Sequence, residues 1–158
     1  RAMHAAFTEN PDHGLSMMCV ADFARMAGVD SLHIGTGIGK MRGGKREVAE
    51  ISEEIEQKKV GKTKHRLEQS WGGLKPVFSV NSGGIYAGHI PFLMKNYGKD
   101  IIIQAGGGIH WNPRGSRYGA MGMRQAVDAV MKGEKLEVYA KDHLELRETL
   151  EEFPKLRF

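Results

Sequence analysis

Three short segments pair glycine with residues able to hold or polarise an anion: His33 followed by Gly35-Thr36-Gly37-Ile38-Gly39-Lys40, then Ser82-Gly83-Gly84, then Gly106-Gly107-Gly108. Glycine lets backbone N–H groups approach a phosphate closely, and a helix starting behind such a loop adds the positive end of its dipole. Ser82 offers a hydroxyl and His33 a ring N–H. Lys40 follows Gly37 and Gly39 on a loop with hinge-like freedom, so its ammonium can swing onto a bound ligand. Taken singly, each glycine cluster reads as a plain tight turn, Lys40 as a solvated lysine and His33 as a core histidine bonded to backbone. Their recurrence at three successive places points instead to anion binding. Neither Ser82-Gly83-Gly84 nor Gly106-Gly107-Gly108 has the spacing of a Walker or dinucleotide fingerprint. The seven histidines show no His-x-x-x-His or Cys/His ligand spacing. The acidic residues read as lying on exposed helix faces, so no metal site is expected from this chain.

Periodicity supplies the elements that must position these residues. Met17, Val20, Phe23, Ala24 and Ala27 recur at helical spacing over 16–27, with Ser16 as N-cap and Gly28 after the last turn. A short strand over 31–34 leads into the Lys40 loop. Val48, Ile51 and Ile55 then mark one face of a heavily charged helix that ends in a Lys-Gly run. Strand-like runs at 76–80 and 101–104 precede the two glycine clusters, and helices are expected over 89–97, 118–131 and 142–153, the last stopped by Pro154. Short apolar strands alternating with helices imply a parallel sheet covered by helices. Such units build either a barrel or an open doubly wound sheet, and in both the ligand sits at the C-terminal strand ends. All three glycine segments would therefore meet at one mouth. A closed barrel takes roughly 250 residues, so on the barrel reading the chain is its second half.

Composition bounds the alternatives. With 158 residues, 41% hydrophobic and 27% charged, the chain has the make-up of a globular α/β or α+β domain. The net charge of +4 comes from basic residues interleaved with 19 acidic ones. Without a basic stripe or interleaved aromatics, nucleic acid is not an expected partner. Cys19 is the one cysteine, read as a small buried hydrophobe; with no second cysteine to pair, a reducing cytoplasm is the expected location. No stretch reaches the ~20 apolar residues that span a bilayer, so no membrane association is expected. The chain opens at Arg1 directly into an apparent motif, which suggests a fragment or processed product.

The motifs resemble those of the ribulose-1,5-bisphosphate carboxylase (RuBisCO) large subunit. Arg1-Ala2-Met3-His4-Ala5 resembles the His-Arg-x-x-His-Ala segment ending barrel strand five, lacking its first histidine. Leu32 to Met41 is similar to strand six and the mobile loop after it. Gln69-Ser70-Trp71 and Val80-Asn81-Ser82-Gly83-Gly84-Ile85 resemble the approach to strand seven and its end. Gln104-Ala105-Gly106-Gly107-Gly108 is similar to strand eight, and Pro113, Gly115, Gly119, Ala120, Arg124 and Ala126 fit the helix that follows. Gly37-Ile38 before Gly39, with Arg42 where an acidic residue is common, points to the archaeal or bacterial-dimer branches.

The resemblance implies an α/β fold that is the C-terminal part of a TIM (β/α)8 barrel, strands six to eight with their helices, over 1–133, and a helical extension over 134–158. It implies that Arg1 and His33 bind one phosphate of ribulose-1,5-bisphosphate and that Ser82 bonds a substrate hydroxyl. Gly83 is a further substrate-binding residue, and backbone amides of Gly84, Gly106 and Gly107 hold the other phosphate. Lys40 closes over the site and stabilises the carboxylate formed when CO2 adds to the enediolate, and His33 and His4 are the other catalytic residues that the resemblance implies. In the family Mg2+ is held by a carbamylated lysine with neighbouring Asp and Glu on strand two, none of them present here. An N-terminal domain from a partner subunit completes the site. The chain alone is therefore expected to be inactive, to need the missing N-terminal part, and to work in a homo-oligomer. Two other readings are a RuBisCO-like enolase or isomerase of a phosphorylated sugar and a non-catalytic phosphate-binding half-barrel. The presence of Lys40, His33, Arg1 and Ser82 together argues for the carboxylase.

Overall fold

A computed structural model of the chain describes Thr8, Asn10, residues 12–38 and residues 44–153. The first helix, α1 (Met17–Met26), opens at Ser16, whose side-chain oxygen accepts the Cys19 amide, as expected of a serine N-cap. Its buried face is Met17, Met18, Val20, Ala21 and Arg25. That face is rotated from the expected one, since Phe23 is 61% exposed and Ala27 is also on the surface. Cys19 is exposed rather than buried. Successive helical residues turn by about 100°, which puts Cys19 and Phe23 on the side opposite Ala21.

Strand β1 (Ser31–His33) is followed by helix α2 (Lys45–Glu56) and by a small antiparallel pair, β2 (Lys59–Val60) with β3 (Gln69–Ser70). Strand β4 (Phe78–Ser82) then leads through a 3-10 turn (Ala87–His89) into α3 (Ile90–Tyr97). After β5 (Ile102–Gln104) come α4 (Gly107–His110), α5 (Ser116–Lys132), α6 (Leu136–Tyr139) and α7 (Leu144–Glu152). The sheet runs β1-β4-β5, both pairings parallel, with His33 opposite Val80 and Ser82 opposite Gln104. Strand alternation places Ser79 and Asn81 on the face that meets α2, where Ser79 bonds Ser52 at 3.0 Å. His33, Val80 and Ser82 face the other way.

One hydrophobic core runs through the described residues. It joins Ile34, Val48, Ile51, Ile55, Val77, Leu93 and Ala126 to Leu136, Tyr139 and Leu146, so α6 and α7 pack into the same core as the sheet helices. Gly122 lets α5 approach α7 closely: a Cβ there would run into Thr149 Oγ1 and stand 2.8 Å from the Glu145 carbonyl oxygen.

The charged face of α2 departs from expectation, because Glu50 and Glu54 are buried rather than exposed. The β2–β3 hairpin folds over them. Trp71 Nε1 donates to Glu54 Oε1 at 3.2 Å, and Arg66 Nε lies 3.7 Å from the same carboxylate. Burial pushes the Glu54 carboxyl above its usual range, nearby Asp22 adds to this, and Arg66 opposes it. Arg25 closes the end of α2 by donating Nη1 to the Glu54 and Gln57 carbonyls at 2.6 and 2.8 Å, with its guanidinium over the Trp71 ring. Among the described residues no helix is long and apolar enough to cross a membrane.

Candidate functional site

Parallel strands end at one edge of a sheet, and the sequence puts a polar or glycine-rich segment at each of these ends. His33 closes β1 and Ser82 closes β4, and their side chains meet: His33 Nδ1 lies 2.7 Å from Ser82 Oγ. Ser82 is only 3% exposed, so this pair sits at the base of the rim. The chain turns sharply just above it, with Gly83 at φ +116° and Gly84 at φ +65°. A residue with a Cβ is strained in that region, which explains glycine at both places. On the neighbouring strand, Gln104 leads through Ala105 to Gly106, the N-cap of α4, and Gly107, its first residue. The first N–H groups of a helix have no intrahelical carbonyl to bond, so they face outward as donors.

The two glycine turns touch through backbone. A Cβ on Gly108 would run into the Ile85 carbonyl, and the Tyr86 Cα stands 2.9 Å from the same point. Nearby, the His89 imidazole bonds the Gly84 backbone and packs on the Tyr86 ring with centroids 4.2 Å apart. Burial pushes His89 below its usual range and so favours the neutral ring, while the Gly84 bond opposes this by favouring the charged one. Tyr86 in turn stacks on Phe153 at 5.4 Å. An aromatic column thus backs the Ser-Gly-Gly turn.

The segment leaving β1 is tied down as firmly. Asn81 Nδ2 donates to the Gly35 carbonyl at 3.0 Å, the Tyr97 hydroxyl donates to the Thr36 carbonyl at 3.0 Å, and Thr36 Oγ1 donates to the Ile38 carbonyl. Burial pushes the Tyr97 hydroxyl from 10.0 up to about 12. A group whose folded pKa is raised stabilises the fold fully below its unfolded pKa, and the contribution fades as pH climbs toward the folded value. The urea midpoint of the complete subunit should therefore fall between about pH 10 and 12. Tyr97→Phe should flatten that part of the profile, and an unchanged alkaline slope would show that Tyr97 is not buried and neutral.

The structure brings His33, Ser82, Gly83, Gly84, Gly106 and Gly107 to one rim. Arg1, His4 and Lys40 lie outside the described residues. Among the described residues no group of three or more His, Cys, Asp or Glu side chains could hold a metal ion. Sequence reading passed over Asn81, His89, Tyr97 and the special role of Gly108. A buried strand asparagine beside Ser82 was the one readable signal, because a polar residue on a helix-covered face needs a partner.

The matching family is the ribulose bisphosphate carboxylase large chain, catalytic domain, over residues 1–153. The chain belongs to this RuBisCO family. Its relatives include the ribulose bisphosphate carboxylases of Methanosarcina acetivorans, 49% identical over 152 residues, and Methanocaldococcus jannaschii, 46% identical over 153. The chain is covered to 95% and 96% in these alignments, but spans only 36% of each relative's length. Among solved structures, an archaeal RuBisCO superposes with a TM-score of 0.87 at 39% identity, covering all of this chain and 37% of that one. The dimeric RuBisCO of Hyperthermus butylicus gives 0.86 at 45%, covering 99% of this chain and 36% of its own. The octameric RuBisCO of Pyrococcus horikoshii gives 0.81 at 42%, with 100% and 35% covered. The RuBisCO assignment carries the fold class with it: this α/β unit, with its three parallel strands and covering helices, is part of the family's (β/α)8 barrel, of archaeal type.

Proposed function

We propose that this chain supplies the phosphate-binding rim and the loop lysine of a ribulose-1,5-bisphosphate carboxylase, acting within a complete subunit. The observation that carries the reading is the His33–Ser82 hydrogen bond, 2.7 Å long, seated beneath two glycine turns in backbone contact. In this reading His33 and Arg1 hold one phosphate and Ser82 bonds a substrate hydroxyl beside it. Gly83 gives the turn its shape, and the amides of Gly84, Gly106 and Gly107 hold the second phosphate, helped by the start of α4. Lys40 stabilises the carboxylate that forms as CO2 adds, and His4 lies in the same constellation. Residues 1–133 are the barrel portion, with 134–158 as its helical extension.

Among the described residues no cluster of His, Cys, Asp or Glu fits a magnesium site. The Mg2+ that the family uses would be held by the N-terminal part of the subunit. The chain therefore needs that part as a partner, works in a homo-oligomer, and is inactive alone. A cytoplasmic location suits its sugar-phosphate substrate.

Ser82→Ala tests the assignment at one atom. Removing a hydroxyl that bonds both His33 and the substrate costs about 1 kcal/mol per neutral hydrogen bond, so KM for ribulose-1,5-bisphosphate should rise roughly 5- to 30-fold in the complete subunit. Steady-state kinetics with saturating CO2 provide the measurement. A KM equal to that of the parent protein would remove Ser82 from the site.

A further inference from the structure

Between the described end of β1 and the start of α2, two buried side chains from other elements grip consecutive backbone carbonyls. Asn81, fully buried on β4, donates to Gly35, and Tyr97, 6% exposed at the end of α3, donates to Thr36. Thr36 itself is fully buried. Gly37 completes the arrangement: at φ +61° a Cβ there would run into the Tyr97 hydroxyl and stand 2.9 Å from Lys45 Cα. The peptide is thus held at two consecutive carbonyls and walled by a tyrosine at Gly37. Neither Asn81 nor Tyr97 faces the rim, since alternation along β4 turns Asn81 away from Ser82 and Tyr97 reaches in from the helix layer. Burying an amide and a phenol solely for packing would be unfavourable without such bonds.

We infer that Asn81 and Tyr97 are positioning residues, which fix the backbone of 35–38, the stretch that in sequence joins His33 to the Lys40 segment. The inference rests on the role given to Lys40 above. Its consequence is selective. The phosphates are held by His33 and the glycine amides, which do not depend on this clamp, whereas the step that needs Lys40 does.

The test uses the complete subunit with Tyr97→Phe, which keeps the ring, and Asn81→Ser as a second, smaller change. Two quantities are read: hydrogen exchange of the peptide spanning 34–38, and kcat per titrated active site beside KM for the bisphosphate. Losing one such bond should speed exchange in that peptide about five-fold or more. A misplaced reacting group should lower kcat by about 10- to 100-fold, with KM for the bisphosphate within about three-fold. A purely structural role would lower the fraction of active sites and leave kcat per site alone. Unchanged kcat per site in both variants, or unchanged exchange over 34–38, overturns the inference. If the parent subunit fixes no CO2, the carboxylase reading fails instead, and the exchange measurement still decides whether the clamp exists.

Discussion

Gly108→Ala in the complete subunit should lower stability by about 3 kcal/mol, the upper end of what overpacking costs, and should weaken ribulose-1,5-bisphosphate binding by a larger factor than Ser82→Ala does. The obstacle is the Ile85 carbonyl, which cannot rotate aside as a side chain can, with Tyr86 Cα 2.9 Å from the same point. Relief requires the Ser-Gly-Gly turn and the Gly-Gly-Gly turn to separate. A displacement of about 1 Å between groups that hold one ligand costs on the order of 100-fold. Gly107→Ala is the matched control, since a Cβ there meets only Trp111 ring carbons at 3.5–3.6 Å. That variant should stay within about 0.5 kcal/mol of the parent, the range of a benign substitution. Urea unfolding at constant m and direct titration with the bisphosphate give both numbers. Equal stability of the two variants would mean that the turns are not in backbone contact.

Lys40→Ala should lower kcat for carboxylation by about 10²- to 10³-fold, the loss seen when a donor aimed at developing charge is removed. KM for the bisphosphate should change far less, because in this reading the phosphates are held by His33 and Arg1 and by the backbone amides of Gly84, Gly106 and Gly107. Lys40→Arg should not restore the rate. A planar guanidinium spreads its charge over a fork and cannot take the place of a compact ammonium. Fixation of labelled CO2 at saturating bisphosphate reads the effect, and a loss smaller than 10-fold would take Lys40 out of the chemistry.

Where the pattern was strongly periodic, the sequence carried the fold. The helices at Met17–Met26, Lys45–Glu56 and Ser116–Lys132 and the strands at Ser31–His33 and Ile102–Gln104 lie where apolar spacing and glycine punctuation put them. The β2–β3 hairpin was hidden because each strand is two residues long and largely polar, leaving no alternation to read. Four-residue α4 and α6 are too short to show a helical period. Glu50 and Glu54 looked solvated because an isolated helix gives no hint that Arg66 and Trp71, further along the chain, will fold over them. Cys19 was misplaced for a related reason: with apolar residues on both sides of α1, spacing alone did not fix which side would pack against α2.

The rim shows the same division. Glycines at positive φ, such as Gly83 and Gly84, announce themselves, and a serine and a histidine at strand ends are natural partners for an anion. The supports behind them depend on distance in space. Nothing in the spacing from Thr36 to Tyr97 tells that a tyrosine will reach back to that carbonyl, and nothing in His89 tells that its ring will meet Gly84.

The most direct test of the account is a fixation assay on the purified complete subunit that contains this chain, with Mg2+, bicarbonate and ribulose-1,5-bisphosphate. Labelled CO2 should be incorporated in a way that depends on the bisphosphate and is lost in Lys40→Ala. A folded subunit that binds the bisphosphate yet incorporates no label would contradict it.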